Sequence, residues 1–217
     1  AAVYDDGGAT LGDEGDILAA FDSNGNVKWE KNLFPDREGQ LGLSNTAYYF
    51  VGGVLANAAA LSAFANPVIN SYKRINGSPT ISGATWSPNA ITYGGNNRTH
   101  LIRLPDNQRI EIRLADGATN PYLIQASYAA AGIYGIQNKI DPGKRLDTNM
   151  YTHQNSEKFE RLPENLLDSL RALGENEVLS DWLGADFVES YIKLKKEEWN
   201  AYTQHFTEWE KTNALDV

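Results

Sequence analysis

The sequence predicts an α+β fold, with an antiparallel sheet and packed helices over residues 1–155 and an all-helical portion over 156–217. Three observations predict it. Strand-like alternation occurs only in short runs bounded by turn residues. Residues 109–114 are the best case: Arg109, Glu111 and Arg113 would share one strand face, with Ile110, Ile112 and Leu114 on the other. Capping residues mark helix starts throughout, and beyond residue 160 the apolar positions recur only at helical spacing. A length of 217 residues suits one good-sized domain, or one domain with a helical appendage.

Composition narrows the function classes. Contents of 41% hydrophobic and 22% charged residues exclude wholesale disorder. A net charge of −9 argues against nonspecific binding to nucleic acid or anionic membrane. No apolar run approaches the length of a membrane span. With no cysteine, a disulfide framework and any thiolate metal site are excluded. The chain begins Ala-Ala-Val and its single methionine is Met150, so a processed chain or a fragment is expected. No signal-peptide pattern opens it.

The elements follow in order. Residues 1–43 are acidic and Gly-rich, and within them 17–21 and 27–30 flank Ser23-Asn24-Gly25-Asn26 as a hairpin. Ser44 caps a helix expected to run to Phe64 and to end at Asn66-Pro67, with Gly52-Gly53 allowing close approach of a neighbour. Residues 76–96 have loop or flap composition around Trp86. A second hairpin is expected from 99–104 and 109–114 around Pro105-Asp106-Asn107-Gln108. Asn120-Pro121 starts a helix reaching Asn138. Pro163 opens another, with Leu166, Leu167, Leu170 and Leu173 on one side and Gly174 at its end. Asp186 and Glu189 suggest a capping box for a long last helix to about residue 211. Its aromatic stripe (Phe187, Tyr191, Trp199, Tyr202, Phe206, Trp209) suits a core or an oligomer contact.

The chemistry concentrates in residues 96–122. Arg98, Arg103, Arg109 and Arg113 fall within sixteen positions of an acidic chain, with Arg74 upstream. Guanidinium forks match carboxylate and phosphate, so this cluster suits a polyanion. Pairing with the chain's own carboxylates is the other reading. Glu111 is either an ion-pair partner, the better reading on its own, or an oxygen ligand for Mg²⁺ or Mn²⁺. His100, His153 and His205 lack metal-site spacing, and Tyr151 reads as an ordinary loop residue. No Walker-type loop, dinucleotide fingerprint or nucleophile elbow is present.

Four segments resemble the glutamine synthetase family. Asn66-Pro-Val-Ile-Asn-Ser-Tyr-Lys-Arg74 is similar to its N-P-T-x-N-S-Y-K-R segment, and Asn97-Arg-Thr-His-Leu-Ile-Arg-Leu-Pro105 to its N-R-[ST]-x-x-I-R-[IV]-P segment. Glu111-Ile-Arg113 matches E-x-R, and Asp116 through Asn120-Pro-Tyr-Leu123 matches D-x-x-x-N-P-Y-L. The forms S-G-A-T-W-S-P and G-G-N-N-R-T-H resemble the branch that includes γ-glutamylmethylamide synthetase.

The resemblance implies the C-terminal catalytic part of a cytoplasmic, ATP-dependent glutamate–amine ligase of nitrogen metabolism. By matched position, Arg74, Arg98 and Arg113 would bind glutamate, with Arg98 also catalytic at the transferring phosphoryl group. Arg103 and Arg109 would bind ATP phosphates, and Glu111 would ligate Mg²⁺ or Mn²⁺. The implied assembly is a dodecamer of stacked hexameric rings, with active sites between subunits and the helical C-terminus touching the opposite ring. A noncatalytic assembly or regulatory module of the same fold is the alternative, because the family's upstream E-x-E and H-x-H metal motifs have no counterpart here. Residues 75–82 also lack the family's flap glutamate, which leaves room for methylamine in place of ammonia. The loop after Arg103 is shorter, without the family's nucleotide-contacting lysine. The resemblance thus implies about the C-terminal half of such an enzyme, incomplete as a catalyst by itself.

Overall fold

The computed structural model describes residues 2–4, 17–21, 27–32, 41–77, 87–106, 109–150 and 158–214. Three expectations lie outside these residues: the flap around Trp86, the histidine at 153 and the tyrosine at 151. The N-terminal hairpin is present as β2 (Ile17–Phe21) and β3 (Val27–Asn32), and β1 (Ala2–Tyr4) adds antiparallel to β2. A second sheet contains β4 (Tyr93–Gly94), β5 (Ile102–Asp106) and β6 (Arg109–Ile112) in that order. β5 and β6 form the expected antiparallel hairpin, but β4 pairs parallel to β5, so this sheet is mixed. Parallel neighbours normally require a long crossover. Here β4 is two residues long, and residues 95–101 fold into a compact loop that returns the chain to the start of β5.

The helices are α1 (Asn45–Ala56), α2 (Ala58–Ala65), α3 (Ser71–Ile75), α4 (Pro121–Gln137), α5 (Leu166–Gly174), α6 (Glu177–Leu183), α7 (Ala185–Thr203) and α8 (Glu208–Asn213). Ser44 caps α1 by accepting from the Ala47 amide, as expected. The single helix expected to reach Phe64 is two, bent by 76° at Asn57. The Asn57 amide donates back to the Gly53 carbonyl (2.8 Å) and accepts from Asn176 Nδ2 (2.8 Å). A tertiary hydrogen bond thus holds the break, which local periodicity does not reveal. Asn120 caps α4 through the Tyr122 and Leu123 amides, with Pro121 in the first turn.

Beyond residue 160 two starts differ from expectation. α5 begins at Leu166 rather than Pro163, because Asn165 accepts from the Asp168 amide and supplies the cap. Asp186 and Glu189 form no capping box. α7 follows Gly184, whose φ of +96° lets the chain turn sharply out of α6 without a side-chain cap. The capping box sits instead at Thr207 and Glu210, opening α8, so the long last helix breaks after Thr203.

One apolar core joins these elements. Phe50, Val51, Leu61, Phe64, Ile102, Leu114, Ile133, Leu166, Leu170, Leu173, Leu179 and Val188 are all buried in it. α1 crosses α4, α5 packs on α2, and α7 packs on α5. The Tyr191 hydroxyl donates to the Ala63 carbonyl (2.7 Å), and its ring lies 4.7 Å from that of Phe64. Farther along the stripe the aromatics emerge: Phe206 and Trp209 are 62% and 70% exposed. The Gly52-Gly53 expectation is met at the α1/α4 crossing, where a Cβ on Gly53 would stand 2.1 Å from the Ala131 carbonyl oxygen. Among the described residues no single helix is long and apolar enough to cross a membrane.

His100 is a core residue. It is fully buried, with Nδ1 3.0 Å from Thr92 Oγ1 and Nε2 3.2 Å from Asn97 Nδ2. Because Asn97 Oδ1 accepts from Thr99, its Nδ2 faces the imidazole, and the network assigns the ring proton to Nδ1. Burial pulls the His100 pKa below the ordinary 6.5, outweighing the opposing pull of the Asp147 charge and the Leu146 and Thr148 carbonyls.

Gly53→Ala is expected to cost about 1–3 kcal/mol or more, because the obstacle is backbone. Gly117→Ala meets nothing within 4 Å and serves as the neutral control. Denaturant midpoints for the pair check this, and equal midpoints would remove the close-contact account. A second expectation concerns acid. The unfolded chain binds the His100 proton more readily than the fold, so His100's contribution is whole above pH 6.5 and is lost as pH falls toward the folded pKa. In His100→Asn, unfolding measured across that window should show a shallower loss than in the parent.

Candidate functional site

The polar face of the β5–β6 hairpin carries the cluster that alternation predicts. Arg103 and Glu111 are cross-strand partners, and Arg103 Nη1 donates to Glu111 Oε2 at 2.7 Å. Arg113 Nη1 donates to the other oxygen, Oε1, also at 2.7 Å. β6 ends at Ile112, yet the Arg113 amide still donates to the Leu101 carbonyl (2.9 Å), which keeps Arg113 in register with Glu111. On the opposite face Leu114 is buried, with Ile110 and Ile112 packed against the core. Arg103 is only 11% exposed in its side chain, and Asn96 Oδ1 accepts from its Nε (3.1 Å) and its Nη2.

Arg74 reaches the same neighbourhood from α3. Its Nη2 donates to the Leu114 carbonyl (3.1 Å) and lies 3.4 Å from Asn66 Oδ1. The segment after Arg113 is stitched to the end of α2 by the Asp116 amide on the Ala65 carbonyl (3.0 Å) and the Thr119 hydroxyl on the Phe64 carbonyl (2.6 Å). Helix end and strand end are therefore fixed together, with Asn66 and Arg74 held against the backbone that follows Arg113. Asn66 Nδ2, Arg74 Nε and Arg113 Nε are buried and have no hydrogen-bond partner among the described residues. All three are donors. A buried donor left unpaired is costly, and an acceptor-only anion, carboxylate or phosphate, would satisfy such a set.

The electrostatics agree. Burial by itself raises the Glu111 carboxyl's pKa, but hydrogen bonds from Arg113 and Arg103, and their charges, outweigh it and hold the group below the usual carboxylate range. Two guanidiniums around one carboxylate leave net positive charge on this face of an acidic protein. Glu111 also bears on the metal question. Both its oxygens are engaged by arginine, and the described residues contain no group of three or more His, Cys, Asp or Glu able to hold a metal ion. A divalent cation therefore does not fit the described residues by themselves. The oxyanion fits.

The remaining candidates stand apart. Arg109 is exposed at the hairpin end, 3.6 Å from Asp106 Oδ2. Arg98 is exposed on the loop before β5, with no hydrogen bond or ion pair among the described residues. Sequence reading placed Arg98 in the loop before the strand, but it missed Asn66 and Asn96, which orient Arg74 and Arg103, and the anchors of the turn that carries Arg98. That turn is pinned on both sides. Asn97 Nδ2 donates to the Thr148 carbonyl (2.8 Å), and Thr99 Oγ1 accepts from the Met150 amide (3.0 Å).

Comparison with known proteins gives the family. Residues 26–214 match the model of the family described as glutamine synthetase, catalytic domain. A glutamine synthetase of Rhizobium leguminosarum bv. phaseoli is 50% identical over 201 residues, covering 92% of this chain and 45% of the relative. A glutamate–methylamine ligase of Methyloversatilis universalis is 39% identical over 193 residues, covering 86% of this chain and 43% of the relative. A solved GmaS/ADP complex superposes with a TM-score of 0.79 at 50% identity, over 93% of this chain and 45% of that one. The chain thus spans less than half the length of these relatives. Motif order, fold and extent of match together place it: the chain belongs to the glutamine synthetase family, within the catalytic domain.

Proposed function

We propose that the protein carrying this chain joins an amine to the γ-carboxylate of glutamate at the expense of ATP. The observation that carries the reading is the buried arginine cluster with its unpartnered donors, Asn66 Nδ2, Arg74 Nε and Arg113 Nε. Arg74 and Arg113 would hold the carboxylates of glutamate. Arg103, oriented by Asn96 and Glu111, and Arg109 at the hairpin end would meet nucleotide phosphates. A γ-carboxylate oxygen attacks the terminal phosphorus of ATP, and the bond to ADP breaks. The amine nitrogen then attacks the acyl carbon of γ-glutamyl phosphate, phosphate leaves, and the amine loses a proton. Charge on the transferring group is where Arg98 would act, since phosphoryl transfer is catalysed chiefly by positioning and charge neutralisation.

Glu111 would serve as one ligand of a divalent cation that offsets phosphate charge, with its other ligands supplied from outside the described residues. No step above is assigned to that cation. Methylamine and ammonia are both candidate amines. A glutamate–methylamine ligase stands among the relatives, and residues 75–82 lack an acidic side chain. The exposed Leu194 on α7, Trp209 on α8 and Phe206 between them favour a second element of the reading, an assembly of stacked rings in which this C-terminal segment meets another subunit. A cytoplasmic location goes with the ATP and glutamate requirement. The noncatalytic assembly module draws support from the same exposed helices and from the lack of a metal cluster among the described residues.

Formation of γ-glutamyl hydroxamate from glutamate, hydroxylamine and ATP/Mg²⁺ by the complete protein separates the two, and its absence would leave only the assembly role. Arg113→Ala should raise the glutamate KM, whereas Arg98→Ala should lower kcat by more than it changes that KM. Unchanged turnover in the Arg98 variant would remove it from the site. The ratio of kcat/KM for methylamine and ammonia names the amine.

A further inference from the structure

We propose that His100 is a positioning residue for Arg98, the buried imidazole fixing the 97–100 turn so that the Arg98 guanidinium is held in one place beyond the end of the sheet. The inference rests on the role proposed for Arg98 above. Arg98 differs from the other arginines in how it is held. Arg103 is fixed by Asn96 and Glu111, Arg113 by Glu111, and Arg74 by the Leu114 carbonyl. Arg98 is exposed and has no such partner among the described residues. An arginine side chain has wide rotamer freedom, so without side-chain partners its placement depends on its own backbone.

That backbone is immobilised from below. Two residues after exposed Arg98, His100 is 0% exposed, bridging Thr92 beside β4 and Asn97 within the turn. Asn97 in turn accepts from the Thr99 amide (3.0 Å) and hydroxyl (2.8 Å), and donates to the Thr148 carbonyl (2.8 Å). The imidazole packs against Gly94 so closely that a Cβ there would lie 2.5 Å from its Cδ2. Every side chain from Asn97 to His100 except Arg98 is therefore used to anchor the turn. Ring size matters as well as hydrogen bonding, because the imidazole fills the space between β4 and the 146–150 segment. An alanine would leave a cavity beneath Arg98.

The test uses the complete protein. His100→Ala should lower kcat by roughly ten- to a hundredfold, the scale of a misplaced catalytic group. The glutamate KM should move by less than about threefold. Thr92→Val, which removes one anchor, should lower kcat by less, and His100→Asn, which keeps a donor toward Thr92, should recover part of the loss. The double variant R98A/H100A should turn over no more slowly than R98A alone, because a residue acting through Arg98 has nothing left to position. Multiplied losses in the double variant, or unchanged turnover in His100→Ala, would overturn the proposal. A readout independent of activity is trypsin cleavage after Arg98, which should rise about tenfold or more in His100→Ala relative to cleavage after exposed Lys139. An equal rise at both bonds reports general loosening and overturns it too. If the parent protein shows no ligase activity, the ligase reading falls, and the cleavage ratio by itself decides whether His100 holds Arg98.

Discussion

Glu111 and its two guanidiniums are the interaction on which the site depends. Arg103 and Arg113 are each mostly withdrawn from solvent, and placing them on adjacent positions of one sheet face without an anion between them would set like charges together. The carboxylate offsets that repulsion, one oxygen accepting from each guanidinium. It does so incompletely. One negative charge faces two positive ones, and Arg113 keeps a buried Nε without a partner among the described residues. The cluster is stable enough to persist and still short of one anion. That shortfall is the feature on which the proposed anion-binding role rests.

The scaffold's task is to keep that shortfall from relaxing away. A side chain with an unpaired donor will move toward any carboxylate within reach, and an acidic protein offers many. The hairpin register prevents this for Arg103 and Glu111, and the extra rung from Arg113 to Leu101 prevents it for Arg113. Arg74 is restrained from the other side by Asn66 and the Leu114 carbonyl. Those restraints require the ends of α2 and α3 to stay put against the strand. The α1/α4 crossing, made close by Gly53 and Gly135, anchors the helical side of that joint. Packing at residues 53 and 135 and charge at residues 103–113 are thus parts of one mechanical chain.

What was legible in the sequence follows from the range of the interactions. Alternation over 109–114 revealed the shared face of Glu111 and Arg113 because a strand's period is local. Ser44, Asn120 and the Gly52-Gly53 pair were legible for the same reason: each acts within a turn of helix or through the mere lack of a side chain. The bend at Asn57 was hidden, since it depends on Asn176, which is 119 positions away. The false capping box at Asp186 and Glu189 shows the converse. The local pattern was present, but Gly184 at positive φ had already set the chain's direction, and the working box formed at Thr207 and Glu210. The family motifs placed Arg74 beside the hairpin, which spacing on its own could not. Asn66 and Asn96 escaped because asparagine carries no charge signal, although its side-chain oxygen is what orients a guanidinium.

The role proposed for Arg98 calls for a different construction. Arg103 and Arg113 can be held by a shared carboxylate because their positions are fixed before any ligand arrives. A group meant to meet charge that develops only during transfer gains nothing from a resident carboxylate, which would compete for it throughout the cycle. Such a group must be left unpaired, and its precision must come from its backbone. Residues 97–100 fit that requirement by anchoring half-buried Asn97 and buried Thr99 and His100 under one exposed arginine. An imidazole suits the lowest position because it can satisfy hydrogen bonds on both edges while remaining uncharged, so it steadies the turn without adding a second cation beneath the first.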